Sequence, residues 1–332
     1  MNISILGAGA WGTALAISLA ARHEVQLWGR NADVMQAMQV GRENKTYLAG
    51  FPFPSQLQAS DDFQQVIKHA SADDGLLIIA TSVAGLRPLL QQCLPYHPKH
   101  VVWLCKGFEE GSQLLPHQVV RQVLGDDVLA GALSGPSFAQ EVARGLPCAL
   151  TIASSSAELC QHVVNAVHGN AIRVYSSDDV VGVEVGGAVK NILAIATGIA
   201  DGLGLGLNAR AALMTRGLAE ISRLGAALGG HVETLMGLTG VGDLILTCTG
   251  DLSRNRKVGL ALAQGKSLEV VVQELGHVAE GVRCARAVKN LAESLQIEMP
   301  ITNAVAGVLF DDVPAQQMIA RLLARDAKQE LR

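Results

Sequence analysis

Lys190 is conspicuous because little else around it is charged. Residues 185–200 are rich in Gly186, Gly187, Ala188, Ala194, Ala196 and Gly198. An ammonium in such a helix is expensive unless it is paired or faces a polar cavity. Desolvation and neighbouring cations lower a lysine's pKa, which fits it for acid–base chemistry near neutral pH. A snorkelling side chain or a structural ion pair with Glu184 is the plainer alternative. Asn191 alongside tips the reading toward function. Further along, Asp243 follows Gly240-Val-Gly, and Ser253-Arg254-Asn255 form a cluster. Arginine can fork two N–H bonds to phosphate oxygens and asparagine adds a donor, so an anion site is expected there. Ser253 also suits the cap of a helix beginning near Arg254. Lys106 and the segment Ser134-Gly-Pro-Ser-Phe-Ala139 each follow an apolar run at the end where ligands bind in open α/β sheets. A solvated lysine and a ligand-free serine turn remain open for these two.

Gly7-Ala-Gly-Ala-Trp-Gly12 is a GxGxxG directly after an N-terminal apolar run and directly before a helical pattern. Gly7 suits the tight turn, Gly9 lets backbone approach a pyrophosphate, and Gly12 allows helix and strand to pack closely. The N–H groups of the helix start would face the phosphates. Where an acid would hold the adenosine ribose, the sequence reads Trp28-Gly-Arg30-Asn. Arg30 could meet a 2′-phosphate or stack on adenine, so NADP is the expected cofactor, with NAD alongside.

These residues need two kinds of scaffold. Apolar runs at 2–6, 24–28, 76–80, 101–105, 129–133 and 149–153 alternate with helical patterns, the first at 12–21, which predicts a mostly parallel, doubly wound sheet. The character changes near 176–179. Helical spacing then covers 183–200, 209–228, 256–263, 268–275, 282–295, 301–309 and 314–325. The expected organisation is a Rossmann-type domain at 1–179 and an all-helical domain at 180–332.

Composition excludes several classes. The 332 residues are 49% hydrophobic and only 17% charged, too apolar for a disordered chain. Residues 1–21 carry no charge, but three glycines interrupt them and no basic residue precedes them, so a buried strand–turn–helix is expected rather than a membrane segment. The net charge is −4 with no basic tract, which argues against nucleic acid. Six scattered cysteines predict reduced thiols in a cytoplasmic protein. The nine histidines lack metal-ligand spacing, and no metal is expected.

Together the motifs resemble the bacterial NAD(P)-dependent glycerol-3-phosphate dehydrogenases. The matching pieces are Gly7-Ala-Gly-Ala-Trp-Gly-Thr-Ala-Leu-Ala16, Leu133-Ser-Gly-Pro-Ser-Phe-Ala139, Glu184-Val-Gly-Gly-Ala-Val-Lys-Asn-Ile192, residues 200–209, Gly242-Asp-Leu-Ile-Leu-Thr-Cys-Thr249, Ser253-Arg-Asn-Arg256 and Val278-Ala-Glu-Gly281. The resemblance implies reversible reduction of dihydroxyacetone phosphate to sn-glycerol 3-phosphate for phospholipid synthesis. It implies a helical domain like the C-terminal domain of 6-phosphogluconate dehydrogenase, and a homodimer with no membrane insertion. Lys190 is implied as proton donor and acceptor, with Lys106, Gly135, Ser137, Asp243, Ser253, Arg254 and Asn255 on the substrate. Ala10, Trp11, Arg30, Lys106, Ala139, Arg254, Val278 and Glu280 are implied on the cofactor, beside Gly7, Gly9 and Gly12. Ala10 departs from a frequent serine, Thr239 from a frequent alanine and Cys284 from a frequent threonine. A hydroxyacid dehydrogenase of similar layout and a dinucleotide-binding redox sensor are the competing readings. Oxidation of the cofactor by dihydroxyacetone phosphate separates them.

Overall fold

The computed structural model describes residues 1–71, 74–169, 171–275, 279–326 and 329. The chain divides into two compact units, Met1–Glu184 and Val185–Arg332.

The first unit alternates strand and helix. Its strands are β1 (Asn2–Leu6), β2 (Glu24–Trp28), β3 (Glu43–Asn44), β4 (Leu48–Pro52), β5 (Leu57–Ser60), β6 (Leu76–Ile79), β7 (His100–Trp103), β8 (Leu129–Ser134), β9 (Cys148–Ala153) and β10 (Ile172–Ser177). Its helices are α1 (Ala10–Leu19), α2 (Ala32–Gly41), α3 (Phe63–His69), α4 (Val83–Cys93), α5 (Pro116–Leu124), α6 (Ala139–Ala143) and α7 (Ala157–Val167). Eight strands form one sheet in the order β10-β9-β8-β7-β6-β1-β2-β5, while β3 and β4 make a separate antiparallel ribbon. Every pair in the large sheet is parallel except β8 with β9.

Apolar runs become central strands because both faces of a parallel sheet are covered. Successive side chains point to opposite faces. Ile3, Ile5, Leu76, Ile78 and Val102 join one core cluster, and Leu6, Leu77, Ile79, Val101 and Trp103 join another. Strand order reverses between β1 and β6, and ligands bind outside the carboxyl ends of strands at such a switch point. The turn that follows β1 lies there. All six expected strands are present, with β7 running one residue earlier and stopping at Trp103. The ribbon, β5 and β10 were not expected. β5 and β10 are the sheet's edges, and β10 alternates buried with exposed residues instead of running apolar. Residues 1–21 form the expected strand, turn and helix.

A long helix, α8 (Val180–Gly202), runs across the division between the units. The Asp179 carboxylate caps it by accepting the Gly182 N–H at 2.8 Å. It is long and apolar enough to cross a membrane, but 89% of its most apolar window is buried within the protein.

The second unit continues with α9 (Gly206–Ala227), α10 (Val232–Leu235), α11 (Asp243–Thr249), α12 (Arg254–Ala263), α13 (Leu268–Leu275), α14 (Glu280–Ser294), α15 (Pro300–Phe310) and α16 (Ala315–Leu323). A π-helical turn, Leu238–Gly242, leads into α11. The small residues of α8 let α12 cross it in backbone contact. A Cβ on Gly198 would lie 2.2 Å from the Arg256 carbonyl oxygen, and one on Gly259 would lie 2.1 Å from that of Ile195.

Glu220 on α9 is 1% exposed and ties α9 to the start of α15. Its carboxylate accepts the Ile301 N–H at 2.6 Å, the Thr302 N–H at 3.1 Å and the Thr302 hydroxyl at 3.1 Å. Burial pushes its pKa above the ordinary 4.5, against the pull of those N–H groups. Replacing Glu220 with alanine strands buried donors and is expected to cost about 3 kcal/mol, a Tm drop of roughly 5–10 °C by calorimetry. A raised folded pKa contributes stability below the unfolded value that is lost as pH rises through the folded one. The Glu220→Gln protein is expected to lack that component of the pH–Tm profile.

Candidate active site

In the first unit, β1 ends on the glycine turn. Gly7 has φ 132°, in the region that favours glycine, and its N–H donates to the Trp28 carbonyl at 2.8 Å. A Cβ there would lie 2.5 Å from the Ala80 carbonyl oxygen, and one on Gly12 would lie 2.1 Å from that of Gly7. Gly9 differs, because a Cβ there would meet nothing within 4 Å. Helix α1 starts with no side-chain cap and no acid in its first turn. An open approach beside uncapped amides fits a dinucleotide pyrophosphate. Ala10 and Trp11 open the helix half-buried. Arg30, just beyond β2, is exposed, and Asn31 caps α2 by accepting the Val34 N–H at 3.1 Å.

Lys106 follows β7 and donates from Nζ to the Gly135 carbonyl at 3.3 Å. The Ser137 hydroxyl donates to the same carbonyl at 3.1 Å. Gly135 has φ 142°, which brings the chain after β8 into place for both bonds. The expected neighbours Lys106, Gly135 and Ser137 are thus one cluster, with half-buried Ala139 opening α6.

Also in the first unit, buried Glu184 accepts the indole N–H of Trp103 and the His117 backbone N–H, each at 2.9 Å, and contacts His117 Nδ1. Burial pushes its carboxyl up, partly opposed by His117. The sequence weighed Lys190 as the partner of Glu184, and the structure gives it Trp103 and His117.

The second unit gives Lys190 a different partner. Lys190 is 6% exposed, and its Nζ lies 2.6 Å from Asp243 Oδ1 and donates to Thr247 Oγ1 at 2.9 Å. The Thr247 hydroxyl in turn donates to the Asp243 carbonyl at 2.6 Å. Asp243 opens α11, where helix amides favour a carboxylate. A buried ammonium locked between a carboxylate and a hydroxyl can hold and move a proton at a fixed point. Burial pushes the nearby Cys248 thiol up to about 12, so it stays protonated and offers no competing nucleophile.

A second network lies one residue along α8. Asn255 Nδ2 donates to Asn191 Oδ1 at 2.9 Å, and Asn255 Oδ1 accepts the Gly281 N–H at 3.0 Å. Asn191 Nδ2 lies 3.5 Å from Glu280 Oε2. Ser253 caps α12 by accepting the Arg256 N–H at 3.2 Å, as expected, and Arg254 is exposed at the first position of that helix.

Family models for the NAD-dependent glycerol-3-phosphate dehydrogenase N-terminus and C-terminus match residues 2–160 and 179–320. This chain belongs to that dehydrogenase family. A glycerol-3-phosphate dehydrogenase [NAD(P)+] of Janthinobacterium sp. (strain Marseille) is 69% identical over 331 residues, covering 100% of both chains. The protein of that name from Paucimonas lemoignei is 70% identical, over 99% of this chain and 98% of its own. The crystal structure of glycerol-3-phosphate dehydrogenase from Coxiella burnetii matches with a TM-score of 0.93 at 43% identity, covering 97% of this chain and 98% of that one.

Within this dehydrogenase fold the expected site residues group by unit. Gly7, Gly9, Ala10, Trp11, Gly12, Arg30, Lys106, Gly135, Ser137 and Ala139 belong to the first, and Lys190, Asp243, Ser253, Arg254, Asn255 and Glu280 to the second. Val278 lies outside the described residues. Sequence reasoning missed Thr247, although it lies four residues after Asp243 and so on the same helical face.

Proposed function

We propose that this enzyme reduces dihydroxyacetone phosphate to sn-glycerol 3-phosphate, with Lys190 as the proton donor. The buried Lys190–Asp243–Thr247 cluster carries this reading. The carbonyl carbon takes a hydride, the chemistry a reduced nicotinamide supplies when bound, and its oxygen takes a proton from the Lys190 ammonium. Lys190 is left as the amine and is reprotonated from solvent. In the reverse direction the amine takes the proton from the alcohol. Asp243 stabilises the ammonium, and Thr247 fixes where Nζ sits. Lys106 adds positive charge toward the developing alkoxide, with Gly135 and Ser137 as further substrate contacts. Arg254 and Asn255 take the phosphate, with Ser253 holding the start of their helix.

The glycine turn, with Ala10, Trp11, Arg30, Ala139, Val278 and Glu280, holds NADH or NADPH. Residues 1–179 act as the NAD(P)-binding domain and 180–332 as the substrate and dimerisation domain. A homodimer is supported by apolar side chains left exposed in the second unit, Leu207 at 72% and Met236 at 60%. Six free thiols support a reducing, cytoplasmic setting for glycerophospholipid synthesis.

Absorbance of NAD(P)H tests the reaction. Oxidation with dihydroxyacetone phosphate and none with non-phosphorylated 2- or 3-keto acids is expected, and the opposite preference would overturn the assignment. Arg254→Ala is expected to raise KM for dihydroxyacetone phosphate about a hundredfold, since bonds to a charged group are each worth roughly 1.5–3 kcal/mol. Arg254 is exposed, so Tm should hold. An unchanged KM would remove it from phosphate binding.

A further inference from the structure

Asn44 is fully buried in the excursion between α2 and β5, a segment that also lends Leu48 and Phe53 to the core. Its Nδ2 donates to the Ala8 carbonyl at 3.0 Å and to Thr13 Oγ1 at 2.8 Å. Its Oδ1 accepts the Tyr47 N–H at 3.0 Å. Ala8 precedes Gly9–Gly12 and Thr13 follows it, so one amide joins both ends of the glycine turn. The orientation of that amide is unambiguous, because the Ala8 carbonyl can only accept and the Tyr47 N–H can only donate. The excursion is itself anchored. Arg42 opens it, and its guanidinium donates to the carbonyls of Leu57 at 2.7 Å and of Pro54.

We propose that Asn44 is a positioning residue for the dinucleotide, holding the glycine turn in the shape that presents its amides to the pyrophosphate. A trans peptide points its N–H opposite to its carbonyl. Tethering the Ala8 carbonyl therefore fixes the direction of the Gly9 N–H. Bonding Thr13 fixes the first turn of α1 relative to that peptide. Without the amide, the turn must be ordered when the cofactor binds, and affinity falls by the cost of ordering it. The pyrophosphate is common to both cofactors, so Asn44 acts equally on each, unlike Arg30. The inference rests on the proposal that the chain binds NAD(P)H.

The test is calorimetric titration of the purified full-length protein with NADH, NADPH and ADP-ribose, which carries the pyrophosphate but no nicotinamide. Asn44→Asp keeps the shape and the Tyr47 bond but sets an acceptor against the Ala8 carbonyl. It is expected to weaken all three ligands by a common factor of about 10–50. In turnover, KM for the cofactor should rise by that factor while kcat and the KM for dihydroxyacetone phosphate hold. A general loss of structure would instead lower kcat through the active fraction. Should Asn44→Asp not fold, Thr13→Val carries the test, with weakening of about threefold to tenfold and recovery in Thr13→Ser. ADP-ribose and NADPH binding within twofold of wild type in either folded variant overturns the proposal. These titrations need no turnover, so the wild-type assay with dihydroxyacetone phosphate judges the reaction separately.

Discussion

Lys190→Ala is expected to lower kcat by about 10⁴ while leaving NADPH affinity within about twofold of wild type. General acid catalysis contributes roughly 10²–10⁴, and a positioned cation at a developing alkoxide adds a further electrostatic share. Removing the ammonium also leaves the Asp243 carboxylate buried without its charge partner, which is costly in itself. Lys190→Met with Asp243→Asn removes both charges together and guards against misreading lost fold as lost chemistry. That double variant should recover thermal stability and stay inactive. Turnover within tenfold of wild type for Lys190→Ala would take Lys190 out of the mechanism. The measurements are kcat at saturating substrates and a direct NADPH titration.

Gly9→Val is expected to weaken NADPH at least a hundredfold with little change in Tm. Gly9 has φ −74°, which any residue adopts, and a Cβ there meets nothing within 4 Å. The protein alone therefore has open space around a Cβ at this position, and the expected penalty falls on whatever approaches the turn. Losing two bonds from backbone N–H to a charged phosphate, at roughly 1.5–3 kcal/mol each, accounts for the expected magnitude. Gly12→Ala provides the contrast. Its Cβ would lie 2.1 Å from the Gly7 carbonyl oxygen, so stability and binding should fall together. If Gly9→Val bound NADPH as wild type does, the turn would not be the pyrophosphate site.

The fold was legible wherever residue periodicity reports burial on both faces. Ile3, Ile5, Leu76 and Ile78 read as strands because a parallel sheet hides them completely. β5 and β10 did not, because edge strands keep polar residues on their open sides. α11 was not read as a helix, since a seven-residue segment between glycines gives too short a period. That omission cost the site Thr247. The strand–turn–helix shape around the glycine-rich turn and the capping role of Ser253 depend on residues within six positions of each other, and both were read correctly.

The sequence by itself determined the local shapes: a glycine turn between the first strand and helix, a long apolar helix that carries Lys190, and the change from α/β to all-α near residue 180. It also marked Lys190 as the group to explain. Only the tertiary structure decided partners. It placed Asp243, 53 positions after Lys190 in the chain, 2.6 Å from its Nζ, and gave Glu184 to Trp103 and His117 instead. It brought Asn44 back onto a turn more than thirty residues earlier. The reason is physical: propensity and periodicity act over one or two turns of chain, whereas the pairing of a buried charge or amide is settled by whichever distant donor or acceptor packing brings within 3 Å.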